Sequence, residues 1–530
     1  MHLRPAIAST LLAAWLILPS CANPSPTTTP ERTHYEATST CADLDAFLAQ
    51  LVRLPHGDRL VRGSLGTSHE GRDIPLVRAA LPMADEPTAL RALVVANIHA
   101  GEIEGKESVQ QILREIAEGQ HEQLLAGCVL WFVPIYNADG NERIAKKNRP
   151  EQNGPPAVGE RPNAQGLDLN RDFVKAEAPE TRALLAAIHR IDPHLLFDLH
   201  TTDGSWHGYD LTYAPSLATN CDPAVAALTR RILDDATGTL LQSNPPLRTF
   251  DYGNFETRDW DGGGAPSSQA NVRGWWTYDH RARYVINGFG LRNRIGILSE
   301  AYSNADFASR IASTRAFTLS CLASAAARKD EILATTNAAD ALLRERAQPI
   351  SFGYGTTFQE PIVQPVLVGD CDRIQLPDGL GVRLARKPGA RVEVMPVFRG
   401  FVSTQHIELP EAWAIPSPPP EVLSALAAHG VRFERLAEAR NATVAEFLVT
   451  KKRKPKRPFQ GHQELQIDGA YGQPTERMLP AGTAWIDARQ PLARLAATLL
   501  EPVSEDSLST WNFFEAMTGD AYPALRITAQ

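Results

Sequence analysis

His99 and Glu102 stand three residues apart in HAGE, and His200 and Glu300 each close an apolar run far along the chain. On one helical turn, residues three apart face the same way, so His99 and Glu102 can address a single point. Two imidazoles and a carboxylate around an ion that keeps a fourth position open form a catalytic zinc arrangement, whereas structural sites are normally closed by four protein ligands. Taken alone the signal is weak. HxxE arises often by chance, and an isolated histidine is more often a packed core or surface residue than a ligand.

Position makes the set more specific. His99 follows LVVANI, His200 follows LLFDL, and Glu300 follows IGIL with only Ser299 between. Leu93–Ile98, Leu195–Leu199 and Ile295–Leu298 read as buried strands, and Val129–Tyr136 as another. Helical spacing marks 106–118 and 179–191, the latter opening on a proline at a first helical position. Strands alternating with helices indicate an α/β domain around a mostly parallel or mixed sheet. Ligands of such sheets bind beyond the carboxyl ends of the strands, which is where His99, His200 and Glu300 fall.

The composition of the 530-residue chain suits two folded units: 43% hydrophobic and 22% charged residues, with a net charge of -8 that offers no basic field for nucleic acid. Residues 1–22 read as a signal peptide: a charged start, an apolar stretch, then small residues around Cys21. Two cleavage readings compete, a lipobox that would leave a lipidated, membrane-anchored Cys21, and a small-x-small site ending at Ala22. Residues 23–43, including PSPTTTPER, are expected to be a linker. Export to a bacterial periplasm or envelope follows from either reading. Five cysteines would remain after removal or lipidation of Cys21, and no CxxC suggests a thiolate metal site.

Residues 44–345 are expected to form the first domain. Within it, Thr249–Tyr284 is rich in glycine, aspartate and aromatics, and reads either as a binding loop or as a decorated surface loop with Trp275 and Trp276 packed. After Glu345, proline and short β-like runs take over, so 346–530 reads as a separate, smaller α+β domain. It should contain a helix over 421–429 and strands at 431–436 and 483–486, then a helix over 491–500. KKRKPKRP (Lys451–Pro458) reads as a solvated charge run.

HAGEIEG, NADG (Asn137–Gly140), GLDLNRDF (Gly166–Phe173), DLHTTDG (Asp198–Gly204) and ILSEAYS (Ile297–Ser303) occur in the order found in M14 zinc carboxypeptidases. The chain resembles that family from about Leu44 to Ser303. The resemblance implies a carboxypeptidase-like mixed sheet flanked by helices and one zinc ion held by His99, Glu102 and His200. It implies Glu300 as general base, Asp168 as the partner of the first zinc histidine, and Asn170 with Arg171 as the grip on the substrate's terminal carboxylate. Arg149 matches the arginine that polarises the scissile carbonyl, with Arg143 as a rival. Tyr278 matches the substrate-facing tyrosine, with Tyr284 as a rival, and the base of the specificity pocket falls near Val285 or Ile286. The implied activity is removal of C-terminal residues from peptides with a free C-terminus. Peptidoglycan stem-peptide amidase activity, or an inactive envelope-bound binding lipoprotein, are the alternatives. The oligomeric state and the role of the C-terminal region are not readable from the sequence.

Overall fold

A computed structural model describes residues 25–202, 205–255 and 273–528. The segment expected to be a signal peptide, with Cys21, residues 203–204 of DLHTTDG, and the stretch 256–272 lie outside the described residues.

The centre is an eight-stranded mixed sheet. Its strands are β1 (Leu60–Thr67), β2 (Asp73–Ala79), β3 (Leu90–Ala96), β4 (Cys128–Val133), β5 (Leu195–Thr201), β6 (Leu211–Pro215) and β7 (Thr249–Asp251), then β8 (Trp275–Trp276) in another sheet, and β9 (Ile295–Ala301). The spatial order is β1-β2-β4-β3-β5-β9-β6-β7. The four central strands β4, β3, β5 and β9 run parallel, and antiparallel pairings at β2 and β6 make the sheet mixed. Every residue of β4, β5 and β9 is buried, which explains why they read as continuous apolar runs rather than alternating ones. Helices Glu104–Ala117, Pro223–Leu241 and Phe307–Ala327 cover the sheet and pack on one another.

The expected strands and helices are present, with ends shifted by a few residues. Pro179–Ile191 forms over its expected span and stops where Asp192 takes a left-handed conformation at φ 46. Cys128 is a buried thiol, pushed up to about 12 by burial, and the five described cysteines are all free. No helix among the described residues is long and apolar enough to cross a membrane.

Residues 25–43 lie along the helix Glu104–Ala117. Glu31 pairs with Arg114 at 2.7 Å, and the Glu107 carboxylate accepts from Thr38 Oγ1 and Ser39 N at 2.8 and 2.7 Å. Beyond Glu345, an antiparallel six-stranded sheet, smaller β pairs and helices Pro420–Ala428 and Ala493–Leu500 make up the C-terminal region. Of the strand expected at 431–436, only Glu434–Arg435 pairs. The C-terminal core is continuous with the first region: Val174, Ala282, Leu291 and Leu343 pack in one apolar cluster with residues such as Trp413 and Trp511. β8 pairs in parallel with the strand Arg391–Phe398, and both of its tryptophans are buried. Trp275 and Trp276 are therefore packing residues.

Candidate active site

The histidine after β3 is placed by a tight turn. Asn97 takes a left-handed φ of 65, and its side-chain amide donates to the carbonyls of Ala100 and Glu102 at 3.2 and 3.1 Å. The following helix can abut β5 because residue 105 is glycine. A Cβ there would stand 2.8 Å from the Leu199 Cβ. This close approach brings Glu102 against His200.

His200 and Glu300 occupy partner positions in the parallel β5–β9 ladder, so their side chains leave the same face of the sheet on neighbouring strands. Glu102 bridges the two histidines. Its Oε1 lies 2.8 Å from His99 Nδ1, and its Oε2 lies 2.8 Å from His200 Nδ1. The ligand atoms of His99, Glu102 and His200 all fall within 4.8 Å of one another. Each imidazole has a carboxylate behind it, Asp168 Oδ1 at 3.0 Å from His99 Nε2 and Asp198 Oδ2 at 2.8 Å from His200 Nε2. Such outer carboxylates fix the tautomer and the ring orientation of metal-binding histidines. The donor set therefore fits a zinc ion: two oriented imidazole nitrogens, one carboxylate, and an open side.

Charge is concentrated here. Burial alone would raise the Glu102 carboxyl, but Arg149, His99 and His200 hold it well below the usual carboxylate range. Burial would likewise raise Asp168, and His99 and Arg161 hold it well below. For His200, burial opposes protonation, yet Asp198 and Glu102 together push it well above the ordinary histidine value.

A cleft of about 260 Å³ joins this cluster to the other expected residues. Arg149, Asn170, Arg171, Tyr278 and Glu300 all line it, and Asp168 stands behind His99. Arg149 takes a left-handed φ of 49 and its guanidinium contacts Glu102. Arg143 does not line the cleft; it pairs with Glu70 at 2.7 Å and Glu160 at 3.5 Å. The short helical turn Leu169–Arg171 is capped by the Asp168 side chain, which accepts from Asn170 N at 2.9 Å. Asn170 Oδ1 in turn accepts from Val285 N at 2.9 Å, and the Arg171 guanidinium lies over the Tyr284 ring at 4.2 Å. Tyr278 and Tyr284 both line the cleft, the Tyr278 hydroxyl donating to Asn287 Oδ1 at 3.0 Å. Ile286 and Leu298 add apolar surface, while Val285 contributes its backbone to Asn170.

Several cleft residues escaped the sequence reading. Asp198 could have been found, since it lies two before His200 on a strand and so shares its face. Arg161 sits in an irregular loop with no motif, yet its Nε and Nη2 donate to Asp168 Oδ2 at 3.0 and 2.9 Å. Tyr252, beside β7, also had no signal. The NADG motif is structural here: Asn137 caps Gly140 and donates to the carbonyls of Ile98 and Arg161 at 3.3 and 3.1 Å.

Residues 45–286 match the family model described as zinc carboxypeptidase, Peptidase_M14, so this stretch of the chain is similar to the catalytic domains of that family. Carboxypeptidase 2 of Trichophyton tonsurans and that of Trichophyton rubrum are each 23% identical over 483 residues, covering 87% of this chain and 81% of the relative. An alignment of that extent continues well past residue 286 into the C-terminal strands. Among solved structures, a metallo-carboxypeptidase from Pseudomonas aeruginosa is 18% identical, with a TM-score of 0.39 over 56% of this chain and 70% of that one. One from Burkholderia cenocepacia is also 18% identical, with a TM-score of 0.40 over 56% and 70%.

Proposed function

We propose that the protein is an exported zinc-dependent carboxypeptidase that hydrolyses the last peptide bond of substrates with a free C-terminus. The observation that supports this most is a single cleft holding both the His99–Glu102–His200 cluster with Glu300 and the Asn170–Arg171 pair. One end can do the hydrolysis while the other holds a carboxylate.

His99, Glu102 and His200 would hold zinc, which supplies Lewis acidity and water acidified to a pKa of about 7. Glu300, on the same face of the sheet as His200, takes the proton of the attacking water and passes it to the leaving amine. Arg149, which lines the cleft beside Glu102, carries the fixed positive charge suited to the developing oxyanion. Arg171 offers a planar fork to the terminal carboxylate. Asn170 is held for the same task by the Val285 amide. Tyr278 closes the cleft beside them, and Ile286 and Leu298 favour an uncharged terminal side chain.

A peptide mixture and its C-amidated counterparts, digested with the purified protein and read by mass, test the proposal. Single residues should leave the free C-termini only, the activity should vanish with a chelator, and zinc should restore it. Internal cuts, equal attack on amidated peptides, or activity confined to peptidoglycan stem peptides would overturn it. For export, the mature chain in the native host should begin at Cys21 or Asn23, and an intact Met1 start would contradict it.

A further inference from the structure

The turn that carries Asn170 and Arg171 is gripped from the C-terminal region. Strands Phe447–Arg453 and Gln466–Tyr471 pair as a long hairpin whose outer end holds KKRKPKRP. Beyond that basic run the chain doubles back. Phe459 and His462 exchange both backbone hydrogen bonds, at 2.7 and 2.9 Å, and the two residues between them, Gln460 and Gly461, have φ values of 49 and 82. Two consecutive positive φ values are the mark of a tight hairpin turn of the I′ kind. The turn points its side chains at the first region.

Three contacts from this arm land on two segments beside the cleft, residues 168–177 and the stretch around Arg283. Gln460 Oε1 accepts from the backbone N–H of Asp168 at 2.8 Å. His462 Nε2 lies 3.0 Å from the Glu177 carboxylate, just past the Asn170–Arg171 turn. Glu464 pairs at 2.7 Å with the buried Arg283, next to Tyr284. Neighbouring C-terminal residues reinforce the last grip, since Asp506 lies 2.9 Å from Arg283 and Glu505 lies 2.7 Å from His280.

We infer that the tip of this hairpin is a positioning element for the substrate-carboxylate end of the cleft, with Gln460 as its key positioning residue. Asp168 is the junction. One of its oxygens faces His99 and caps the turn at Asn170, and the other takes Arg161. Pinning its backbone therefore fixes where the Asn170–Arg171 turn begins. Gln460 touches no reacting atom; it acts through that backbone. The inference gives the C-terminal region a function in the first region's chemistry, and its kinetic part rests on the carboxypeptidase reading above.

Gln460→Met keeps the length and removes the acceptor, while Gln460→Glu keeps an acceptor. In the full chain, amide hydrogen exchange across 166–173 should be faster in Gln460→Met than in the parent, and near the parental rate in Gln460→Glu. On peptides with a free C-terminus, Gln460→Met should raise KM roughly three- to tenfold, the size expected for one lost hydrogen bond, with kcat held within about twofold. Unchanged exchange across 166–173 overturns the inference. So does faster exchange with an unchanged KM, or a fall in kcat at constant KM. A parent that cleaves no peptide defeats the carboxypeptidase reading instead, and the exchange comparison then decides the positioning role alone.

Discussion

The two ends of the cleft are built differently. At the end proposed for hydrolysis, His200 and Glu300 share one rung of adjacent buried strands, and His99 with Glu102 sits on the turn directly after a third. At the end proposed for the substrate carboxylate, Asn170 and Arg171 ride on a short turn between irregular loops, and the backbone of Asp168 at its start is anchored by Gln460, 292 positions away. The first end inherits its precision from the hydrogen-bonded sheet, and the second borrows it from another part of the chain. A site can thus combine a corner that any copy of the sheet would reproduce with an arm that exists only when the whole molecule is assembled.

The contrast can be broken experimentally, first at the strand-built end. Glu300→Gln should keep the fold and the metal content but lower turnover by about 10²- to 10⁴-fold, since the amide preserves shape and cannot accept the proton. Turnover within a few-fold of the parent would assign the base elsewhere.

Arg283→Ala tests the borrowed end through stability. The guanidinium is fully buried between Glu464 and Asp506, and its loss strands a buried carboxylate. Denaturant unfolding should show a loss of about 3–5 kcal/mol, the cost of breaking a buried ion pair from one side. A change below about 1 kcal/mol would mean that this grip does not hold the two regions together.

Arg171→Ala should lower kcat/KM about ten- to hundredfold on peptides with a free C-terminus, matching about 1.5–3 kcal/mol for a hydrogen bond to a charged group. Substrates without that carboxylate should lose far less. Equal losses on both would detach Arg171 from carboxylate recognition.

The smallest effect is expected at Glu505. Burial alone would raise its carboxyl, but His280 draws it down to about 2. A depressed carboxyl stabilises the fold above its unfolded pKa of about 4.3, and that contribution fades as pH falls towards 2. The parent's melting temperature should therefore exceed that of Glu505→Gln at pH 5, with the gap closing at lower pH. A gap independent of pH would show that the ion pair is not its source.

Legibility in the sequence followed the same division. β5 and β9 could be read because strands buried on both sides are apolar throughout, and their last residues were the ones with chemistry. Arg149 could be proposed beside Arg143, but composition could not choose between them. The geometry separates them, one on Glu102 and the other paired with Glu70 and Glu160. Tyr278 and Tyr284 both reach the cleft, so the alternative dissolves rather than resolves. Residues 25–43 read as a linker because proline and threonine dominate, yet Glu31, Thr38 and Ser39 find partners on a helix whose polar face no local pattern could have assigned to them.

The sequence by itself determined which strands are buried and which residues end them, because apolar runs are local properties that survive in one dimension, and the order of its motifs, through the family resemblance, singled out His99, Glu102, His200 and Glu300. Only the tertiary structure decided that Arg161 and Gln460 meet at Asp168, and that Arg283 is held by Glu464 and Asp506. Those contacts join irregular loops far apart in the chain. A loop residue's partner is set by where the packed elements around it come to rest, and no spacing within the sequence encodes that distance.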